Sequence, residues 1–416
     1  MSARPGNRIR SFTLVELLIV IAILAVLAAA VVIVLNPAEL LAQARDSQRI
    51  TDLKTTKDAI DLFVLDNPSA PLGTAERVYI SLPDTVSNCP NLTASLPALP
   101  AGWEYVCSTS EDLRNTDGTG WIPLNFSAIT GGSPIPYLPI DPNNEVSTGR
   151  YYAYVMGGSY SLSALMEAQK SFAIKDGGQY MEMFEVGSDL SLLPVSRDPY
   201  LVGYWKFDGS GSISNGQTTG LTDSSGRGNN GVATNTNGAG MAFVPGKIGN
   251  AMQLDGIDDS VVASGGTAMM TAGATFISVS TWMMKWADGT IAYRNGPFFM
   301  SVTNSKLGGS SEIYTSNGWK SVNGTTILQN GTWYHLALTY DGSNIRNYVN
   351  GVLDSTVTHS GTLGSMPLSC VGIGKSTGGG CAGTVWGYFN GTIDDLRIYS
   401  KVLTPVEIAN IYEANK

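Results

Sequence analysis

Few side chains in this sequence could carry out bond-making chemistry. There are only 2 histidines and 4 cysteines in 416 residues. His335 lies mid-strand among Trp333, Tyr334 and Leu336, where a packed imidazole suits the pattern better than a general base. His359 reads as a turn residue. Sugar hydrolysis needs two facing carboxyl groups. The C-terminal half offers chiefly Glu312, Glu407 and Glu413, and no Glu-x-Asp-x-x-Glu strand. Asp and Asn are instead abundant in turns, as hard-cation ligands or as caps of backbone amides. The most unusual acid is Glu16, alone beside a run from Leu17 to Leu35 that contains no polar residue. A carboxylate at membrane depth is costly and marks function.

The elements that must position these groups divide the chain. Its length predicts two or three domains. With 43% hydrophobic and 14% charged residues it should fold, and a net charge of −9 makes duplex nucleic acid a poor partner for its bulk. Arg4, Arg8 and Arg10 precede the apolar run, which at about 19 residues is long enough to span a bilayer with the basic leader inside. A cleaved signal peptide, a single-pass anchor and a segment that later leaves the membrane are the three readings. Leu53, Ile60, Leu62, Phe63 and Leu65 continue a helical pattern beyond Pro37, which predicts one helix with a bend or local melting near Asn36.

Beyond the helix, Pro68, Pro71, Pro83, Pro90, Pro97 and Pro100 predict loop-rich surface without a central strand. Short strands are predicted at Trp121–Phe126, from Leu138 through Val155, at Tyr160–Leu165 and at Glu182–Val186. Cys89 and Cys107, on the exported side, form the natural pair, closing a loop of roughly 20 residues worth around 3 kcal/mol. A metal site is the alternative, but it lacks nearby histidine. Asp141 and Asn143 fit either an Asp-Pro turn or a calcium loop. From Tyr200 onward, Asn-Gly and Asp-Gly pairs such as Asn330-Gly331 and Asn350-Gly351 alternate with short apolar runs, the pattern of hairpins in an all-β jelly roll. Cys370 and Cys381 close a short glycine-rich loop as a second disulfide. Thr404, Pro405 and Glu407 predict a capped terminal helix.

Two stretches carry family resemblances. Ser11-Phe12-Thr13-Leu14-Val15-Glu16-Leu17-Leu18 closely resembles the class III leader and N-terminal helix of type IV pilins and pseudopilins. The resemblance implies cleavage between Ser11 and Phe12 by a prepilin peptidase and methylation of the new amino terminus. It also implies pairing of Glu16 with the amine of a neighbouring subunit. Ser11 departs from the usual glycine. The precursor would sit in the bacterial inner membrane and then assemble with other pilin subunits into an extracellular pilus, a pseudopilus or a surface structure. Val202–Asp208, Asp223–Gly231, Gly246–Asp259, Trp333–His335, Tyr348–Gly351 and Phe389–Tyr399 together resemble the laminin G-like, concanavalin A-like lectin and glucanase fold.

The expected architecture is a leader (1–11), a transmembrane and fibre helix (12–66), a small β-containing head (67–198) and a jelly-roll sandwich (199–416). The second resemblance implies a structural Ca2+ held by Asp223, Asn229 and Asp394. It also implies glycan binding, with Trp286, Tyr293, Trp319, Trp386 and Tyr388 as stacking candidates, although core packing is the commoner role for each such aromatic in a sandwich. The functional expectation is a non-catalytic pilus or pseudopilus subunit displaying an adhesive domain toward cell-surface or environmental glycans. The alternatives are a membrane-tethered carbohydrate-active enzyme and a minor pseudopilin of a type II secretion or DNA-uptake machine.

Overall fold

The structure is a computed structural model describing residues 14–15, 17–24, 36–168, 170–178, 180, 182–264, 274–294, 297–308, 311–364, 370–378 and 384–416. Ser11, Phe12, Glu16 and Cys381 lie outside the described residues, as does the side chain of Trp386. Residues 17–24 are helical and exposed on every side. Such an all-apolar helix requires lipid or neighbouring helices around it. Among the described residues no helix is long and apolar enough to cross a membrane. Most of the apolar run lies outside them.

Helix α1 (Pro37–Asp66) begins at a break. Asn36 has φ 39° and lies in the left-handed region, and Pro37 takes the first helical position, where its missing N–H costs nothing. Its inward stripe is Asp46, Arg49, Leu53, Thr56, Ile60 and Phe63, spaced three or four residues apart and all buried. The apolar half of that stripe packs on Trp121, Leu124, Phe126, Tyr154 and Tyr160.

The head sheet has five strands in the spatial order Glu104–Ser108, Arg77–Pro83, Ala153–Met156, Tyr160–Leu165, Met183–Gly187. Three expectations fail here, one being the stretch from Leu138 through Val155, of which only the end belongs to a strand, Ala153–Met156. Arg77–Pro83 is a central strand, paired on both sides, because residues 77–82 contain no proline and Pro83 falls at the end of the strand, beyond a break in register. Trp121–Phe126 is not a strand, since Pro123 interrupts it and only Asn125 makes an isolated bridge, to Asp117. Asn125 then caps a short 3₁₀ turn at Phe126–Ala128. Cys89 and Cys107 are disulfide-bonded, and Cys370 is also disulfide-bonded.

Two facing sheets follow. One runs Gly318–Ser321, Glu312–Thr315, Phe298–Thr303, Gly289–Arg294, Val371–Ile373, Ser260–Ala263, Gly231–Thr234. The other runs Val352–Thr358, Asn344–Val349, Trp333–Tyr340, Ile277–Lys285, Asn390–Tyr399, Asn250–Asp255, Ala242–Pro245. Their inner faces enclose one apolar core that includes Trp205, Met283, Phe298, Leu336 and Ile393. Helix α3 (Pro405–Ala414) starts with the capping box read from the sequence. A short helix α2 (Lys170–Ile174) belongs to the head.

The second sheet is covered on its outer side. Tyr204, Ala337, Tyr348 and Tyr399 join Val78, Ile80 and Tyr151 of the head, and Ile408 and Ile411 of α3, in one buried cluster. The outer side of the first sheet therefore faces away from the head.

Candidate functional site

That outer side carries an aromatic row set by strand register. Tyr293 pairs with Phe299, Phe299 with Glu312, and Glu312 with Ser321; one step along, Tyr314 pairs with Trp319. Neighbouring Phe298 and Ile313 point into the core, so the period-2 alternation sends Phe299, Glu312 and Tyr314 outward. The Tyr314 and Trp319 rings lie 5.0 Å apart in a tilted arrangement, and Trp319 is 39% exposed. Ser321 donates to Glu312 Oε1 at 2.7 Å.

The hairpin is latched from behind. Thr315 Oγ1 lies 2.9 Å from His359 Nε2 and donates to the Ser360 carbonyl at 3.1 Å. Asn317 reaches the same carbonyl. Gly364 is required where Tyr314 lies flat, since a Cβ there would come within 2.2 Å of the ring. His359, read as a plain turn residue, is thus a positioning residue.

The other aromatic candidates separate. Tyr293 is buried, only 3% exposed, and packed edge-on against Phe299, so its ring is no free stacking surface. The hairpin of Lys375–Gly378 and Thr384–Tyr388 approaches its strand, and Gly372 sits beside the Tyr293 ring. Trp286, just past the end of the Ile277–Lys285 strand, is 49% exposed and lies against Gly331. Tyr388 is half-buried, its hydroxyl pKa raised by burial and by nearby Asp258. Tyr314, Phe299 and Glu312 were missed; the Asn317-Gly318 turn dipeptide and the alternation of Glu312-Ile313-Tyr314-Thr315 were the available signal.

The three cation candidates are held by backbone amides and loop contacts. Asp223 and Asn229 are together, with Asp223 accepting from the amides of Tyr204, Ser225 and Asn229 at 2.9–3.0 Å. Asp394 accepts through its Oδ2 from the amides of Lys247 and Ile248. Burial, with the charge of Asp395 adding, pushes its carboxyl up to about 8. Asp223 caps a loop, and the buried Oδ1 of Asp394 has no hydrogen-bond partner. Asp141 and Asn143 both accept from Arg49, whose guanidinium fills the place a calcium ion would take.

A cavity of about 650 Å³ lies where head and sandwich meet, lined by Leu96, Pro97, Trp103, Tyr105, Arg197 and Arg227. No carboxylate pair suited to glycoside hydrolysis appears on the aromatic row, whose one acid is Glu312.

Comparison with known proteins follows the same division. The prokaryotic N-terminal methylation motif matches residues 6–32, and the concanavalin A-like lectin/glucanases superfamily matches residues 255–409. The chain therefore carries a type IV pilin-like N-terminus and a laminin G-like sandwich. Among curated proteins none matches. Similar solved structures include domain 4 of AbnA, a GH43 extracellular arabinanase from Geobacillus stearothermophilus, in complex with arabinotriose. It is 23% identical, covering 52% of this chain and 98% of that one, with a TM-score of 0.38. The binding domain of Paraclostridial Mosquitocidal Protein 1 is 13% identical over 51% of this chain and 52% of that one, TM-score 0.38. The receptor binding domain of a botulinum neurotoxin C/D mosaic is 14% identical over 51% of each, TM-score 0.37. The chain spans about half the length of these last two.

Proposed function

We propose that this protein is a pilus or pseudopilus subunit whose sandwich binds glycans on the outer face of its first sheet, without catalysing their cleavage. The observation that carries this is exposed Trp319, packed beside half-buried Tyr314 on the side opposite the head and flanked by Glu312 and Ser321. A sugar ring presents apolar C–H faces and a rim of hydroxyls; an aromatic platform with adjacent polar acceptors suits both. In this reading the methylation motif directs processing between Ser11 and Phe12 by a prepilin peptidase at the inner membrane. Glu16 then pairs with a neighbouring subunit's amine, and the head holds the sandwich with its aromatic face outward. A sandwich of this bulk on every subunit crowds a helical fibre, which favours a minor or tip position.

The test is a glycan array on the full chain in detergent, followed by Trp319→Ala. The wild type should bind a defined sugar set, and the variant should lose about 2 kcal/mol, roughly thirtyfold in Kd. Absence of binding to any sugar sinks the adhesive reading. Release of sugars from a polysaccharide would install the membrane-tethered enzyme in its place.

A further inference from the structure

The turn between the second sheet's Asn250–Asp255 strand and the first sheet's Ser260–Ala263 strand gathers three carboxylates. Asp255, Asp258 and Asp259 each offer an oxygen, and all three oxygens lie within 4.8 Å of one another. Two ligand oxygens on opposite sides of a Ca2+ ion, each about 2.3–2.6 Å away, sit roughly 4.6–5.2 Å apart, so this spread fits one coordination sphere. Among the described residues no salt bridge reaches the cluster.

A second observation points to a ligand. Asp259 is fully buried, 0% exposed, and its Oδ1 has no hydrogen-bond partner. Its Oδ2 is occupied by the Asp255 amide at 3.0 Å. Asp258 repeats the arrangement: Oδ2 takes the amides of Thr236 and Asn237, while its buried Oδ1 is left over. A buried carboxylate oxygen with no donor costs a full desolvation penalty. Two such oxygens beside a third carboxylate make a site that lacks only its positive charge.

We propose that Asp255, Asp258 and Asp259 bind a Ca2+ ion that staples the crossing between the two sheets. The placement explains the effect. The turn hands the chain from one sheet to the other, Asp258 ties in the Thr236–Asn237 loop, and Asp255 pairs with Asn390, next to the Tyr388 hairpin end. An ion at this point joins three connections at one end of the sandwich. Three protein carboxylates suit Ca2+, which takes six to eight oxygens with loose geometry, better than Mg2+, which keeps most of its water. The site is separate from Asp223, Asn229 and Asp394, and it does not depend on the glycan reading.

The experiment uses the full chain in detergent, stripped with a chelator, and follows melting of the sandwich with and without added CaCl2 or MgCl2. Ca2+ at about a hundredfold its Kd should raise the midpoint by roughly 5–10 °C, and Mg2+ by much less. Tb3+ in place of Ca2+ should luminesce on aromatic excitation, with Tyr388 the near donor. Asp259→Asn should abolish both signals. Should that buried variant fail to fold, Asp258→Asn supplies the same test from a half-buried position, with at least a tenfold loss of Tb3+ affinity. The proposal is overturned if the wild type shows neither Ca2+ shift nor Tb3+ signal, the outcome for a carboxyl that simply shares a proton with its neighbour. It is equally overturned if both signals survive in Asp258→Asn, or vanish only in Asp223→Asn.

Discussion

The head and the sandwich each gather three acids, yet they treat the charge in opposite ways. In the head, Asp46, Asp141 and Glu167 converge on Arg49, which is 0% exposed. Every one of its five N–H donors is used: Nε and Nη2 on Asp141, Nη2 on Asn143, Nη1 on Asp46 and Glu167, at 2.7–2.9 Å. Arg45 adds a bidentate pair to Glu167. In the sandwich, Asp255, Asp258 and Asp259 meet at a turn that no side-chain cation reaches among the described residues. The head thus carries its counter-charge in its own sequence, on α1, whereas the sandwich cluster has none from its own described side chains; on the proposal above, an external ion would supply it.

The strongest way to break that contrast is to remove the built-in cation. Arg49→Met deletes one charge and leaves two fully buried acids and Glu167 facing each other. Loss of one partner from a buried ion cluster costs about 3–5 kcal/mol. Thermal unfolding of the full chain in detergent should show the head's transition falling by that amount while the sandwich's holds. Equal loss in both would mean that head and sandwich unfold as one unit through their shared cluster of Tyr204, Tyr399 and Ile408.

Replacing Cys89 and Cys107 together with alanine should cost the head about 3 kcal/mol, because an 18-residue separation no longer restricts the unfolded chain. The same melting experiment checks it, and the sandwich serves as the internal control. Both changes act on the small domain, whose core alone is modest, and this is where covalent and ionic links matter most.

How much of this was legible beforehand depended on sequence distance. The apolar pattern from Leu53 to Leu65 announced α1 but not its buried face, since Leu62 and Leu65 are exposed and Asp46 and Arg49 are buried; Pro37 marked the local break at Asn36, and Thr404 with Glu407 announced the last helix, since these are contacts within a turn or two. The Asn-Gly and Asp-Gly dipeptides revealed the hairpins for the same reason. Arg49 was invisible as a hub because Asp141 and Glu167 lie 92 and 118 positions away and nothing local marks them. The aromatic row was hidden by register: Phe299, Glu312 and Ser321 become neighbours only once three strands have paired. Tyr293 took the core role that sequence already favoured for such aromatics, and only the pairing of its strand shows which face covers it. The prolines around Arg77–Pro83 misled, since none falls within 77–82 and Pro83 sits only at the strand's end.

Acid offers the smallest but most discriminating test, because one group in each region responds over its own pH range. In the sandwich, burial holds the His335 imidazole down at about 3, and neither ring nitrogen has a partner. The unfolded chain takes up a proton near pH 6.5 that the folded one refuses. This contribution is therefore complete above 6.5 and is lost as pH falls toward 3, at about 1.4 kcal/mol per pH unit. In the head, burial alone would raise the Glu167 carboxyl, but hydrogen bonds from Arg45 and Arg49 outweigh it and hold the group down at about 2. Its contribution is present above roughly 4.5 and declines only as pH drops below that value toward 2. Between pH 7 and 5 the His335 loss is opposed in the sandwich by Asp394, whose raised carboxyl takes up a proton on folding and so adds stability as pH falls, and in the head Asp176, held up to about 7 by burial, acts in the same direction. The His335 contribution is therefore read as a difference: in melting curves across that window His335→Phe should remove about 1.4 kcal/mol per pH unit of acid destabilisation of the sandwich, and an unchanged slope in the variant would assign the acid response to another group.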